Sequence, residues 1–326
     1  MSPQSIFSIA NAEEFERIAL YLFRQQMADC EPYSRFVHAL GVVESEVDSV
    51  EKIPFLPISF FKTDKIIAGN QPSQIAFTSS GTTGANTSTH YLADVALYEQ
   101  SLQKGFEQFY GNLAQYCILA LLPHYLERTG SSLVYMVQQW MAAGKHPCNG
   151  FFLHNTDALL QTLQTLQTQQ QPTILIGVSF ALLDFVQKNS LHFPQLIVME
   201  TGGMKGKHKE IARAQLHQTL CKSFGVPTIH SEYGMTELLS QAYSAGNGVF
   251  LTPPWMRIVI RDPYNPLRLQ TAGKSGGINV IDLANWHSCA FIATQDRGKC
   301  LPNGGFEVLG RLANTPLRGC NMLIED

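Results

Sequence analysis

The chain has 326 residues, 45% of them hydrophobic and 15% charged, with 23 basic against 26 acidic side chains for a formal net charge of −3. That balance excludes the cationic surface with which nucleic-acid and anionic-membrane binders release counterions, and a chain this long and apolar can bury a sizeable core. The seven cysteines contain no C-x-x-C pair, which removes a zinc ribbon and a thioredoxin-type dithiol, and their odd number forbids complete pairing.

The N-terminal stretch lacks a basic segment followed by an apolar one, and no run reaches the roughly 18 apolar residues of a membrane span. The expectation is a cytoplasmic protein with reduced thiols. In chain order, Phe15, Ile18, Ala19, Leu22 and Phe23 fall at helical spacing behind Asn11, a suitable N-cap. The prolines of IPFLPISFFKTDK (53–65) predict an extended, aromatic-rich segment on the body of the fold. Apolar runs at 117–122, 173–178 and 195–200 then alternate with helical patterns over 94–109, 131–143, 156–168 and 208–224. Such runs suit strands buried on both faces, which predicts an α/β fold with a mainly parallel sheet. The biased stretch QTLQTLQTQQQ (161–171) keeps Leu160, Leu163 and Leu166 three residues apart, so a surface helix ending near Pro172 is expected. Over the last 80 residues, RIVIRD, GINVIDL, AFIATQD and FEVLGR follow one another without intervening helices, predicting a β-rich lobe.

The chemistry concentrates in a few segments. In IAFTSSGTTGANTSTHYL (75–92) an apolar run leads into Thr78, Ser79, Ser80, Gly81, Thr82, Thr83 and Gly84. Glycines let backbone amides approach phosphate oxygens, and hydroxyls add donors. The lysine of a P-loop is missing, and composition alone is equally compatible with a polar turn. Three further segments carry compact polar motifs: METGGMKG (199–206), HSEYGMTEL (230–238) and FIATQDRG (291–298). The stretch IGVSFA (176–181) has the form G-x-S-x-A between a strand and a helix, so Ser179 is also a candidate nucleophile of a serine hydrolase, although no oxyanion motif accompanies it.

The 78–84 loop resembles the phosphate loop of the acyl-adenylate-forming superfamily, which includes acyl-CoA synthetases, luciferase and peptide-synthetase adenylation domains, and companion motifs follow in the same order. The resemblance implies that Tyr233 lies against adenine, Thr236 meets the α-phosphate and Glu237 holds Mg²⁺. Gly202, Gly203 and Met204 match an adenine-binding segment, Asp296 matches the ribose-binding aspartate, and Arg311 in FEVLGR matches an arginine on the ribose or phosphate side. There are departures. Asn86 and Thr87 stand where a Pro-Lys usually follows the loop, Gln295 replaces a glycine, and Ala313 replaces an acidic residue. Only 15 residues follow Arg311, which predicts the absence of the mobile C-terminal cap and its lysine.

IPFLPISFFK, FTSSGTTG, PHYLERTGSSLVYM, ETGGMKG and EYGMTE together resemble a narrower family, the LuxE acyl-protein synthetases of bacterial luminescence. That resemblance implies an α/β adenylating core over 1–245, including the N-terminal helices, and a β-rich lobe and tail over 246–326. It implies ATP and Mg²⁺, a carboxylic acid of the fatty class, and formation of acyl-AMP. The acyl group would then pass to a thiol and on to a partner acyl reductase, acyltransferase or acyl carrier protein. Cys320 matches the C-terminal acceptor cysteine, and nearby Arg318 would favour its thiolate; a small apolar residue in a final strand is the equal alternative. A subunit that binds nucleotide and needs a partner for turnover is the other function carried forward.

Overall fold

The computed structural model describes residues 1–79, 87–122, 130–152, 155–202, 212–302 and 304–312. Helix α1 (Ala12–Asp29) is capped by the Asn11 side chain, which accepts from the Glu14 amide, and buries Phe15, Ile18, Ala19, Leu22 and Phe23 as the spacing predicted. Helix α2 (Glu31–Ala39) follows at once. The proline-containing segment is extended only in part. It forms strand β1 (Leu56–Pro57) and then a single helical turn, α3 (Phe60–Thr63), because the second proline falls before Phe60 and leaves the next residues free to coil.

Strands β2 (Ile75–Thr78) and β3 (Thr89–Leu92) form an antiparallel pair around the hydroxyl-rich loop. Next come α4 (Val95–Tyr110), β4 (Cys117–Leu121), α5 (Ser132–Gly144), β5 (Gly150–Phe151), α6 (Thr156–Thr168), β6 (Thr173–Val178), α7 (Ser179–Lys188), β7 (Ile197–Thr201), α8 (Arg213–Phe224), β8 (His230–Tyr233) and β9 (Ala242–Ser244). Their sheet has the order β5-β4-β6-β7-β8-β9, parallel except for β9. Every residue of β4 and β6 is buried, which is why those runs are continuously apolar. Alternation along β8 divides the two faces. Ser231 bonds to Glu200 on the face covered by α7 and α8, whereas His230 and Glu232 face the tyrosines of α4.

Strands β10 (Val249–Phe250), β11 (Met256–Arg261), β12 (Ser275–Asp282), β13 (Phe291–Cys300) and β14 (Phe306–Arg311) build a second, antiparallel sheet in the order β10-β14-β13-β12-β11. Strand β1 joins it in parallel, with Leu56 opposite Ile292 and Pro57 opposite Ala293. The partner of β13 therefore changes along its length, from β1 at Ile292–Ala293 to β14 at Asp296, and the register slips between Asp296 and Gly298. A β-bulge at such a changeover turns a side chain out of the regular pleat, and here it is Asp296.

Aromatic rings join the N-terminal helices to this sheet. Tyr33 stacks on Phe291 at 5.9 Å, and Phe23 and Phe55 meet the same ring edge-on. Among the described residues, no helix is long and apolar enough to cross a membrane.

Strand β12 approaches β11 more closely than a side chain would allow: a Cβ on Gly276 would lie 2.1 Å from the Arg261 carbonyl oxygen. Gly276→Ala should therefore separate the edge strand β11 from β12 and lower the stability measured by urea unfolding by roughly 2–4 kcal/mol.

Candidate active site

Among the described residues, Gly202 follows β7, Tyr233, Thr236 and Glu237 end or follow β8, and Asp296 and Arg311 lie on the facing edge of the second sheet. Open α/β sheets bind ligands beyond the carboxyl ends of their strands, where loops diverge and backbone groups lie free. Tyr233 ends β8, and its hydroxyl donates to Asp296 Oδ2 at 2.9 Å across the gap between the sheets. Its ring is 8% exposed, held edge-on by Phe250 and Phe306 from β10 and β14. Arg311 is opposite Asp296 in the β13–β14 ladder, with Nε 3.9 Å from Asp296 Oδ1 and a side chain 80% exposed, free to turn to a ligand. Burial raises the Asp296 carboxyl above its ordinary range, and the Tyr233 hydroxyl, Arg311 and Arg261 offset part of that rise.

Arg261 is a part of this edge that the sequence did not single out. Its guanidinium donates to the Ile278 carbonyl, Asn279 Oδ1 and the Thr294 carbonyl, bridging the bulged strands β12 and β13. Gly277 makes room for it, since a Cβ there would lie 2.4 Å from the guanidinium carbon. An arginine inside a β-rich pattern gives no sign in sequence that it turns inward.

Beyond Tyr233 the chain turns through Thr236 and Glu237, and three buried polar side chains fix that turn. Asp282, at the end of β12, accepts from the Leu239 and Ser240 amides at 2.8 Å each and from the Ser240 hydroxyl at 2.6 Å. Asn285 donates to the Glu237 carbonyl at 2.8 Å and is itself held through its carbonyl by Gln26 of α1. His90, in β3, lies 3.0 Å from the Thr236 carbonyl through Nδ1 and 2.9 Å from the Ser288 hydroxyl through Nε2. Because a carbonyl only accepts, Nδ1 carries the proton and Nε2 accepts from Ser288.

The Glu237 carboxyl is buried, 5% exposed. Desolvation raises its proton affinity, and Ser88, its own amide and the charge of Lys62 pull it back. Ser88 is at the base of the hydroxyl-rich loop, where its amide donates to the Ser79 hydroxyl and its carbonyl accepts from the Ser79 amide. Thr78 is the last residue of β2, and its amide donates to the carbonyl of Gly130. The loop thus starts and ends beside Glu237. Ser80, Gly81, Thr82, Thr83, Gly84, Gly203, Met204 and Cys320 lie outside the described residues.

Gly202 follows β7 at φ +68°, a conformation that favours glycine. Its carbonyl accepts from the Ser179 hydroxyl, which also lies 2.8 Å from Glu200 Oε2. Ser179 therefore works as a strut between α7 and the end of β7, and among the described residues it meets no imidazole. Burial alone would raise the Glu200 carboxyl, but His217, Arg213, Ser179 and Ser231 together hold it below its usual range. On the other face of β8, burial pushes the Glu232 carboxyl up to about 7, against a hydroxyl bond from Thr201 at 2.5 Å. Farther along that face, Phe109, Tyr110, Tyr116, His230 and Tyr243 line a cavity of about 800 Å³.

A magnesium ion needs near-octahedral oxygen ligation and commonly takes one or two carboxylates with substrate phosphates and water. Glu237 fits that role, as a single carboxylate beside the loop. No group of three or more acidic, histidine or cysteine side chains forms an all-protein metal cage among the described residues.

This architecture is that of adenylating enzymes. The solved structures it resembles include 2-hydroxyisobutyryl-CoA ligase in its postadenylation state with R3-HIB-AMP, at TM-score 0.68 and 11% identity over 94% of this chain and 69% of the ligase. ATP-bound MatB from Rhodopseudomonas palustris gives TM-score 0.54 and 18% identity over 72% of this chain. The luciferase-like enzyme of the mealworm Zophobas morio gives 0.53 and 14% over 76% of this chain and 59% of that enzyme. The chain spans about half the length of MatB, 47% of it being covered. These likenesses establish the fold. No curated protein matches the chain. The sequence model of the acyl-protein synthetase family, LuxE, matches residues 7–326, and the chain belongs to that family.

His90 is fully buried, and desolvation depresses its pKa to about 4, with the Thr236 carbonyl pulling the other way. The folded state thus binds fewer protons than the unfolded chain below pH 6.5, so stability should fall as pH drops from about 6.5 to about 4, by roughly 3 kcal/mol. His90→Gln should flatten that part of the stability profile in denaturant titrations at several pH values.

Proposed function

We propose that the protein activates a carboxylic acid, of the fatty class by family, with ATP and passes the acyl group to a thiol. A carboxylate oxygen attacks the α-phosphorus, the bond from that phosphorus to the bridging oxygen breaks, and pyrophosphate leaves. The product is an acyl-AMP anhydride. A thiolate then attacks its carbonyl carbon, AMP departs with the anhydride electron pair, and a thioester remains.

The observation that carries this reading is the convergence of Tyr233, Asp296, Arg311 and Glu237 on one cleft edge, beside the ends of the hydroxyl-rich loop. Both reactants are anionic, so the barrier falls only where fixed donors and cations meet the charge that accumulates on the phosphorus oxygens. In the proposed arrangement Asp296 holds the ribose hydroxyls, Tyr233 and the Gly202–Met204 segment bound the adenine, and Thr236 and the 78–84 loop donate to the phosphates. Arg311 adds a mobile cation. Mg²⁺, when held by Glu237, would neutralise phosphate charge. Cys320, or the thiol of an acyl carrier protein, is the proposed acceptor, and an acyl reductase or acyltransferase would take the thioester onward.

The test is incubation of the purified chain with ATP, Mg²⁺ and acids from acetate to myristate, with pyrophosphate detection and intact mass spectrometry. Acid-dependent pyrophosphate release with a hydroxylamine-sensitive mass increase is expected, and Cys320→Ser should abolish the mass increase while leaving pyrophosphate release. Nucleotide binding without pyrophosphate release with any acid would overturn the proposal in favour of a partner-dependent binding subunit. Glu237→Gln should lower the pyrophosphate-forming rate by more than about tenfold, a loss of roughly 1.4 kcal/mol or more in transition-state stabilisation, and an unchanged rate would remove Glu237 from the site.

A further inference from the structure

The segment IPFLPISFFK is family-typical, yet the reaction as written gives it no part. Its course through the fold is closely fixed. The Pro54 carbonyl accepts from the Tyr33 hydroxyl at 2.7 Å, Leu56 and Pro57 pair with β13, and the Ile58 amide donates to the Ala293 carbonyl at 3.0 Å. These contacts end three residues before Asp296. The α3 turn then inserts Phe61, which is buried with its ring edge-on to His90 at 5.3 Å. Since His90 bonds to the Thr236 carbonyl, the chain of contacts runs from α3 through β3 to the turn that carries Glu237.

Lys62 follows Phe61 on this anchored turn and is exposed. Its charge reaches the Glu237 carboxyl. Neighbouring cations are engaged elsewhere: Arg35 pairs with Glu31 and Asp64, and Lys65 sits 5.2 Å from the Tyr91 ring centroid. Among the described residues the Lys62 side chain makes no hydrogen bond or ion pair, so its ammonium is uncommitted. Meanwhile Asn86 and Thr87 occupy the positions where a lysine would follow the phosphate loop. A site that gathers a triphosphate and a carboxylate needs cationic charge, and a compact, strongly hydrated ammonium on a flexible stem suits a phosphate at the rim.

We propose that Lys62 is a substrate-contacting residue that binds the polyphosphate of ATP, replacing from the N-terminal segment the cation that the loop lacks. The inference rests on the adenylation reading above. Its test uses the full chain and the variants Lys62→Ala and Lys62→Arg, with Lys65→Ala as a neighbouring control. MgATP affinity is measured by calorimetry at two salt concentrations, and KM for ATP and for the acid by pyrophosphate exchange.

Lys62→Ala should weaken MgATP binding and raise KM for ATP by about tenfold, with KM for the acid within about twofold and a shallower salt dependence of binding. Lys62→Arg should restore most of the loss, and Lys65→Ala should stay within about twofold of the parent in both measurements. A merely structural Lys62 would move both KM values together and lower the melting temperature. That pattern, or MgATP affinity unchanged in Lys62→Ala, overturns the proposal. If the parent binds MgATP but exchanges no pyrophosphate with any acid, the adenylation reading fails while the calorimetric comparison still decides the role of Lys62. If the parent binds no MgATP, both are overturned.

Discussion

The buried carboxylate of Asp282 is the interaction on which the site geometry depends. It ends a strand of the antiparallel sheet, yet it accepts from two successive amides and a hydroxyl of the turn that follows β8 in the parallel sheet. Removing such a group from water is costly, and burial does raise its proton affinity, with the Ser240 hydroxyl and the Leu239, Ser240 and Ala284 amides acting against the rise. The compensation requires the two sheets to sit in one relative position. In that position Tyr233 reaches Asp296, and Glu237 comes to the base of the hydroxyl-rich loop.

Two further buried links reinforce the same turn from other directions. His90 reaches it from the loop-bearing hairpin, and Asn285, steadied by Gln26 of the first long helix, reaches it from the connection between β12 and β13. Side chains from the hairpin, from the end of β12 and from the β12–β13 connection therefore share one backbone turn. Polar groups buried this deeply carry large penalties when unpaired, so they define a single arrangement where apolar packing would tolerate several. The catalytic geometry proposed for Thr236 and Glu237 is preorganised in this sense, before any ligand arrives.

The division of labour between the faces of β8 follows from strand alternation. Tyr233 and Ser231 project one way, His230 and Glu232 the other. The residues proposed for the nucleotide thus gather where β8 meets the antiparallel sheet, while the opposite face is an aromatic layer against α4 with a buried, readily protonated carboxyl in it. Gly234 allows this packing, since a Cβ there would lie 2.3 Å from Glu232 Oε1. The glycine between Tyr233 and the Thr236–Glu237 turn is needed for the space it leaves.

Much of the fold was legible in the residues. The helix behind Asn11, the continuous apolar strands and the final β-rich stretch emerge because a helix buried on one face, a strand buried on both and a strand buried on one impose periods of 3.6, none and 2 on their side chains. The order of the hydroxyl-rich, glycine-containing and Y-G-x-T-E segments likewise points to the family. The helical turn at Phe60–Thr63 was missed, because two prolines dominate the local signal while its formation is secured by Phe61 packing on a distant histidine. His90, Arg261 and Asp282 carried no local signature for the same reason. Each is an ordinary residue whose partner lies far along the chain, so its role comes from tertiary contact. The sequence by itself determined which segments become strands and helices and which side chains are chemically able to handle nucleotide and acid. Only the tertiary structure decided which of them meet, because a buried polar contact between residues such as His90 and Thr236, 146 positions apart, exists only once the sheets have docked.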